Sequence, residues 1–173
     1  MIPRTDGVYS DWVDWLVAFG KGRDLPAGHL HAIDPATMGQ ACVARLYGRC
    51  GDAVGARLQL WWAAIGRDLD RARSADELRM ALSAARARLA PLEALARSAL
   101  LPQDLRGSLG ERLSRALDDV QEQLEARAAH QRVSGAGTLR ILREHPVNRP
   151  VHFDLSGVGA ARPDAAVTGR SVL

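Results

Sequence analysis

Apolar residues recur every three or four positions through most of the first 131 residues, the spacing that lets an α-helix bury one face. The pattern is clearest over residues 53–73, where apolar residues fall within an arc about 100° wide and charged residues fall outside it. The apolar positions are Val54, Leu58, Trp61, Trp62, Ile65, Leu69 and Ala72. This segment is predicted to be the central helix of a mainly α-helical fold.

Start and stop signals predict further helices around it. Asp34 before a proline indicates a helix start, Ser74 opens a capping box, and Pro91 should kink or restart a helix. Gly51 followed by Asp52 is interpreted as the break between the second helix and the third. We therefore expect a bundle of four to five mostly antiparallel helices, the four others covering residues 8–19, 35–49, 75–101 and 103–131.

The composition changes after residue 131 and becomes dominated by Gly, Pro, Val and Arg. Val151, Phe153 and Leu155 alternate with polar residues as in a strand, and residues 139–143 could pair with them in a short β-hairpin. The chain is accordingly divided into a helical bundle domain, residues 1–131, and an extended tail, residues 132–173, that is flexible or ordered by a partner. A chain ending at residue 131 is expected to remain folded.

The charge excess lies in the tail. Residues 1–131 carry 17 basic and 17 acidic residues, whereas residues 132–173 carry 6 and 3. Lys21 is the only lysine, and the arginine content together with abundant Ala and Gly is typical of a GC-rich genome, which suggests a bacterial source. The uncharged run at residues 58–66 is too short to span a membrane, and no secretion signal is recognised. We expect a cytoplasmic protein with no membrane partner.

Metal and catalytic chemistry are not indicated. His29, His31, Cys42 and Cys50 are suitable ligand types for zinc, but their spacing fits no zinc motif, and whether they meet is left open. The two cysteines would lie about 12 Å apart along one helix, too far for a disulfide. No nucleophile motif or phosphate-binding glycine loop is present. We therefore predict no cofactor, no metal and no catalytic residue, and favour a protein that is not an enzyme.

The preferred hypothesis is a non-enzymatic protein–protein interaction or adaptor protein, with a helical scaffold and a partner-binding tail. Its partner is expected to be another protein, and a homo-oligomer is left open. Leu60 joins the candidate contacts because it points among arginines instead of along the apolar face. The predicted partner-binding residues are Val151, Phe153, Leu155, Arg140, Arg143 and Leu60.

Two alternative functions are kept. A helical DNA-binding regulator would use the glycine-containing junction at residues 48–53 as the turn of a helix-turn-helix, but the helix that follows is too apolar to read bases, so nucleic acid is the weaker partner. A small α-helical enzyme or ligand-binding bundle would use a pocket near Trp61, Trp62 and the linker with His29 and His31. The tryptophans themselves lie on apolar faces and are expected in the core.

Overall fold

The structure is a computed structural model that describes residues 5–130 and 135–148. This part of the chain is mainly α-helical, as expected. None of its helices is long and apolar enough to cross a membrane. The helices are α1 (Thr5–Gly20), α2 (Pro35–Met38), α3 (Gln40–Arg71), α4 (Ala75–Ala87), α5 (Ala90–Arg97), α6 (Gln103–Ala129) and α7 (Gly135–Glu144).

Helix α1 buries the apolar face predicted for it, including Trp12 and Trp15. The indole nitrogens of these tryptophans also fix the linker of residues 21–34, which leads from α1 to α2. Trp12 Nε1 donates to the carbonyl of His31 at 2.8 Å, and Trp15 Nε1 donates to the carbonyl of Leu25 at 3.1 Å. Each ring therefore contributes apolar burial and satisfies a backbone acceptor of the linker.

The predicted helix break at Gly51 is wrong, because α3 continues through this residue to Arg71. The break lies at Gly39, whose φ of +80° is a conformation that favours glycine, so the predicted second helix is split there. Gly51 instead makes room for Arg112 of α6: a Cβ at Gly51 would lie 2.8 Å from Nη1, and one at Gly55 would lie 3.1 Å from Nη2. The turn proposed for a helix-turn-helix at residues 48–53 is consequently absent.

The two longest helices, α3 and α6, run parallel to each other. Tyr47 donates to Asp104 at 2.7 Å near their N-terminal ends, and Arg127 pairs with Asp70 at 2.7 Å near their C-terminal ends. Both contacts join residues 57 positions apart, so the helices keep the same register over their shared length.

Helix α1 also runs parallel to α3. The Arg45 guanidinium lies 5.5 Å from the centre of the Tyr9 ring, and that of Arg57 lies 4.9 Å from the centre of the Phe19 ring. Residue numbers therefore increase in the same direction along α1 and α3, from the Tyr9–Arg45 contact to the Phe19–Arg57 contact. The linker of residues 21–34 is long enough to return the chain to the starting end, and α1 therefore departs from the mostly antiparallel arrangement expected.

The helix restart at Pro91 is confirmed. Helix α4 ends at Ala87, and α5 begins at Ala90 with Pro91 in its first turn, where a missing backbone donor carries no cost. Leu89, between the two helices, is fully buried. The chain thus passes from α4 to α5 while Leu89 continues the buried apolar face of the two helices.

The structure differs from the sequence expectation at residues 135–148, which form α7 and a short C-terminal extension instead of an extended tail. Residues 139–143, considered as a hairpin strand, lie within this helix. Ile141, Leu142 and Val147 are buried in the common core, where α7 contacts α4 and α6. Packing against existing helices decides the conformation of a short apolar segment that is ambiguous by periodicity. The other proposed strand, residues 151–155, lies outside the described residues.

We expect removal of residues 132–173 to destabilise the protein, in contrast to the expectation from sequence. Loss of Ile141, Leu142 and Val147 uncovers apolar surface on α4 and α6 and should lower the free energy of unfolding by about 4 kcal/mol. Urea unfolding followed by circular dichroism would measure this change. The matched control ends at residue 148, keeps α7 and its buried side chains, and should retain most of the stability of the full chain. Equal midpoints for all three chains would show that α7 contributes no stability.

Candidate functional site

The described structure has a groove between the end of α3, the start of α4, the C-terminal half of α6, and α7. Its volume is about 510 Å³, within the range of pockets that bind ligands or short peptide segments. The floor of the groove is apolar and is formed by Leu69, Leu78, Leu124, Ile141 and Leu142.

A capped turn forms one end of the groove. Ser74 Oγ accepts a hydrogen bond from the backbone N–H of Glu77 at 3.2 Å, which confirms the helix start predicted at Ser74. Glu77 Oε2 in turn accepts from the backbone N–H of Arg73 at 2.6 Å. The turn therefore satisfies donors at the start of α4 and holds Arg73 at the edge of the groove.

A buried glutamine positions the opposite wall. Gln121 of α6 donates from Nε2 to the carbonyl of Leu142 at 3.2 Å and to Glu125 Oε1 at 2.8 Å. Its Oε1 accepts from the backbone N–H of Val147 at 3.0 Å. Both ends of the amide are thus bonded, and two of the three contacts are to the backbone of α7 and its extension. They fix α7 beside α6.

Arginines dominate the rim of the groove. Arg73, Arg127 and Arg140 line it together with a single acidic residue, Asp70, so its lining carries an excess of positive charge. Arg127 pairs with Asp70 at 2.7 Å, and Arg140 lies 3.6 Å from Glu144, which is outside the lining. Arg73 has no ion pair within the part of the chain that the structure describes. Its exposed guanidinium is available to a carboxylate from outside.

The predicted partner-binding residues that the structure describes do not lie on one surface. Arg140 lies at the rim of the groove, whereas Arg143, on another side of α7, points to Glu125 at 3.4 Å. Leu60 is 49% exposed, as expected, but belongs to a surface near Gly22 and does not line the groove. Val151, Phe153 and Leu155 lie outside the described residues.

Sequence reasoning did not identify Gln121 or the groove. The available signal was a polar residue at a core position, since Gln121 falls between Leu117 and Leu124 on the apolar face of α6. A polar residue in such a stripe indicates a specific hydrogen-bond partner. That partner could not be inferred without knowing that α7 is helical.

The histidines and cysteines considered for zinc do not assemble. Among the described residues, no group of three or more His, Cys, Asp and Glu side chains could hold a metal ion. His31 uses its carbonyl to accept from Trp12, and Cys50 is fully buried within α3.

Trp61 and Trp62, considered as neighbours of a ligand pocket, do not line the groove. Trp61 is buried and donates from Nε1 to the carbonyl of Ala85 at 2.8 Å, which ties α3 to α4. A smaller cavity of about 240 Å³ is instead lined by Trp12 and Trp15 of α1, by the linker and by α5. The indole donors of both tryptophans are already occupied by linker carbonyls.

Two arginines of α4 that could otherwise contact nucleic-acid phosphates are engaged in ion pairs. Arg79 contacts Asp76 at 2.8 Å, and Arg86 contacts Glu93 at 3.2 Å. The Arg86–Glu93 pair joins α4 to α5 and is largely shielded from solvent. A nucleic-acid phosphate would have to replace these carboxylates.

Burial is the main cause of two raised pKa values, those of Cys50 and Tyr47. Burial raises the pKa of the Cys50 thiol from 9.0 to about 12. Burial, followed by the hydrogen bond to Asp104, raises the pKa of Tyr47 to about 12. The same hydrogen bond lowers the pKa of Asp104. Both raised groups remain protonated at neutral pH, and the stability they confer is lost as the pH rises from about 9 towards 12.

We predict that Cys42 is alkylated and Cys50 is protected when the folded protein is treated briefly with iodoacetamide at pH 8. Cys42 is half-buried, whereas Cys50 is inaccessible and holds its proton. Mass spectrometry should find one adduct, on Cys42, in the native protein and two adducts after unfolding in urea. Equal labelling rates for the two thiols in the native protein would contradict the burial of Cys50.

We also expect Gln121→Leu to destabilise the protein although it adds an apolar side chain to the core. The substitution leaves the Val147 N–H and the Leu142 carbonyl without their partner and should lower the free energy of unfolding by about 2 kcal/mol. Gln123→Leu, at an exposed position of the same helix, is the control. Hydrogen exchange of the Val147 amide should become faster in the Gln121 variant only. An unchanged exchange rate would show that the Gln121 hydrogen bonds do not hold the extension of α7 in place.

Comparisons of the chain with protein-family models, curated proteins and solved structures found no significant match. The groove is therefore characterised by its own residues. It combines an apolar floor, three arginines against one aspartate, and walls fixed by the Ser74 turn and the Gln121 amide.

Proposed function

We propose that the protein is a non-enzymatic interaction or adaptor protein whose helices, arranged as a bundle, act as a scaffold for binding another protein. The groove between α3, α4, α6 and α7 is the observation that carries this proposal. It combines an apolar floor with three arginines against one aspartate at its rim. We also propose the cytoplasmic location that the sequence suggested.

The chemistry of the groove favours a short partner segment that carries apolar and acidic side chains. Burial of large apolar side chains against Leu78, Leu124 and Ile141 would supply most of the affinity, at about 25 cal/mol per Å² of apolar surface removed from water. Carboxylates on the segment would pair with Arg73 and Arg140 at the rim. These exposed pairs would contribute specificity and faster association more than affinity.

The predicted contacts outside the groove remain part of the proposal. Arg143 and Leu60 lie on other surfaces of the helices, so a partner that also touched them would have to extend beyond the groove. The alternating segment with Val151, Phe153 and Leu155 is retained as an apolar element of the tail. Association of two copies of the chain through the groove would be a special case of the same function.

We expect the full chain to select peptides containing both acidic and large apolar residues from a library of random 12-residue peptides displayed on phage. Arg73→Glu should lower the affinity of the selected peptides about tenfold, because it replaces attraction by repulsion at the rim. Arg67→Glu changes another exposed arginine of the same region of the chain, outside the groove, and should have little effect. Higher salt should weaken binding to the unchanged chain.

Selection of peptides without acidic residues, or equal effects of the two charge reversals, would contradict the assignment of the groove. Salt-sensitive binding of a DNA duplex together with failure to select any peptide would favour the DNA-binding alternative.

A further inference from the structure

The groove lies within reach of the chain's own C-terminal residues. The last described residue, Asn148, is held against α6 by a hydrogen bond from its side-chain nitrogen to Asp118 at 2.8 Å. The sequence continues from there to residue 173. One segment of this continuation, residues 151–155, has the alternating apolar pattern that distinguished it in the sequence.

We propose that residues 151–155 occupy the groove of the same molecule when no partner is bound, and that a partner segment must displace them. This inference rests on the proposed function, since it describes the regulation of the same groove. It assigns the segment a definite site, on the floor formed by α4, α6 and α7.

The distances permit this arrangement. Asp118, beside Asn148, and Arg127, at the rim, are nine residues apart on α6, which corresponds to about 14 Å along the helix axis. Leu155 follows Pro150 by five residues, and an extended chain of that length spans about 17 Å. The chain would turn back at residues 149–150 and run towards the C-terminal end of α6.

The side chains of the segment complement the groove. In an extended conformation Val151, Phe153 and Leu155 project from one face, which fits the apolar floor. His152 and Asp154 project from the other face, towards the rim. Asp154 is the acidic residue of the segment, and Arg73 is the rim arginine that lacks an ion pair among the described residues.

Covalent linkage makes even a weak interaction effective. A segment tethered by a few residues experiences an effective concentration of about 1 mM. If its intrinsic dissociation constant is about 0.1 mM, the groove is occupied in about nine molecules of ten, and a competing ligand binds about tenfold more weakly. A partner can still displace the segment, because the loss of affinity is modest.

The first test measures binding of a fluorescein-labelled peptide of residues 149–157 to the full chain by fluorescence anisotropy. The double variant Val151→Asp and Phe153→Asp changes the tethered segment alone and should bind the added peptide about tenfold more tightly than the unchanged chain. The control Val167→Asp and Val172→Asp places the same charges further along the chain and should match the unchanged chain. Adding Arg73→Glu to the first variant should weaken binding again.

Equal affinities for the unchanged chain and the Val151 and Phe153 variant would overturn the proposal, as would the absence of peptide binding to either. These failures are distinguishable from failure of the proposed function. Library peptides that still bind the groove in an Arg73-dependent manner would show that the groove binds a partner but is not covered by residues 151–155.

The second test traps the segment in place. Thr138 lines the groove on α7, so Thr138→Cys combined with Phe153→Cys should form an intramolecular disulfide under oxidised glutathione in a Cys42→Ser background. Met80, which is 72% exposed and does not line the groove, supplies the control pair Met80→Cys with Phe153→Cys. Disulfide formation at equal rates in the two variants would contradict docking of the segment in the groove.

Discussion

The hydrogen bonds of the Gln121 amide determine where α7 lies, and α7 forms one wall of the groove. Apolar contacts alone would hold Ile141 and Leu142 against α6, but the hydrophobic effect has no preferred direction and tolerates several registers. A buried amide is costly unless both of its ends are bonded. Gln121 meets this condition only when the Leu142 carbonyl and the Val147 N–H face it, so one register of α7 is selected.

The frame that supports this wall is the parallel pair of α3 and α6. Its polar contacts, from Tyr47 to Asp104 and from Arg127 to Asp70, lie at the surface, where screening by solvent leaves little net stabilisation. The buried leucines on the facing sides of the helices supply much more. The polar contacts therefore mark the register, and the apolar packing maintains it. Arg112 can cross α3 because Gly51 and Gly55 leave it space.

The sequence predicts those parts of the fold that depend on local information. The apolar face of α1, the cap at Ser74 and the restart at Pro91 follow from periodicity, side-chain hydrogen bonding and the missing proline donor. Gly39 and Gly51 show the limit: the sequence predicts a helix through Gly39 and a break at Gly51, whereas Gly39 has a positive φ and follows the end of α2, and Gly51 lies within α3 against Arg112. The groove could not be predicted either, because one of its walls, α7, was expected to be an extended tail.

The charge of the continuation after Asn148 explains why its own segment would be a weak occupant of an arginine-rimmed groove. Residues 151–155 contain one carboxylate, and the arginines at positions 149 and 162 flank them with the same sign of charge as the rim. A partner segment with two further carboxylates could gain about 1–2 kcal/mol at the rim, which is roughly tenfold in affinity. That gain equals the advantage that tethering gives to the internal segment. An acidic partner would therefore displace residues 151–155 at about one tenth of the concentration that a neutral partner needs, so the arginine rim would contribute to the specificity of the groove.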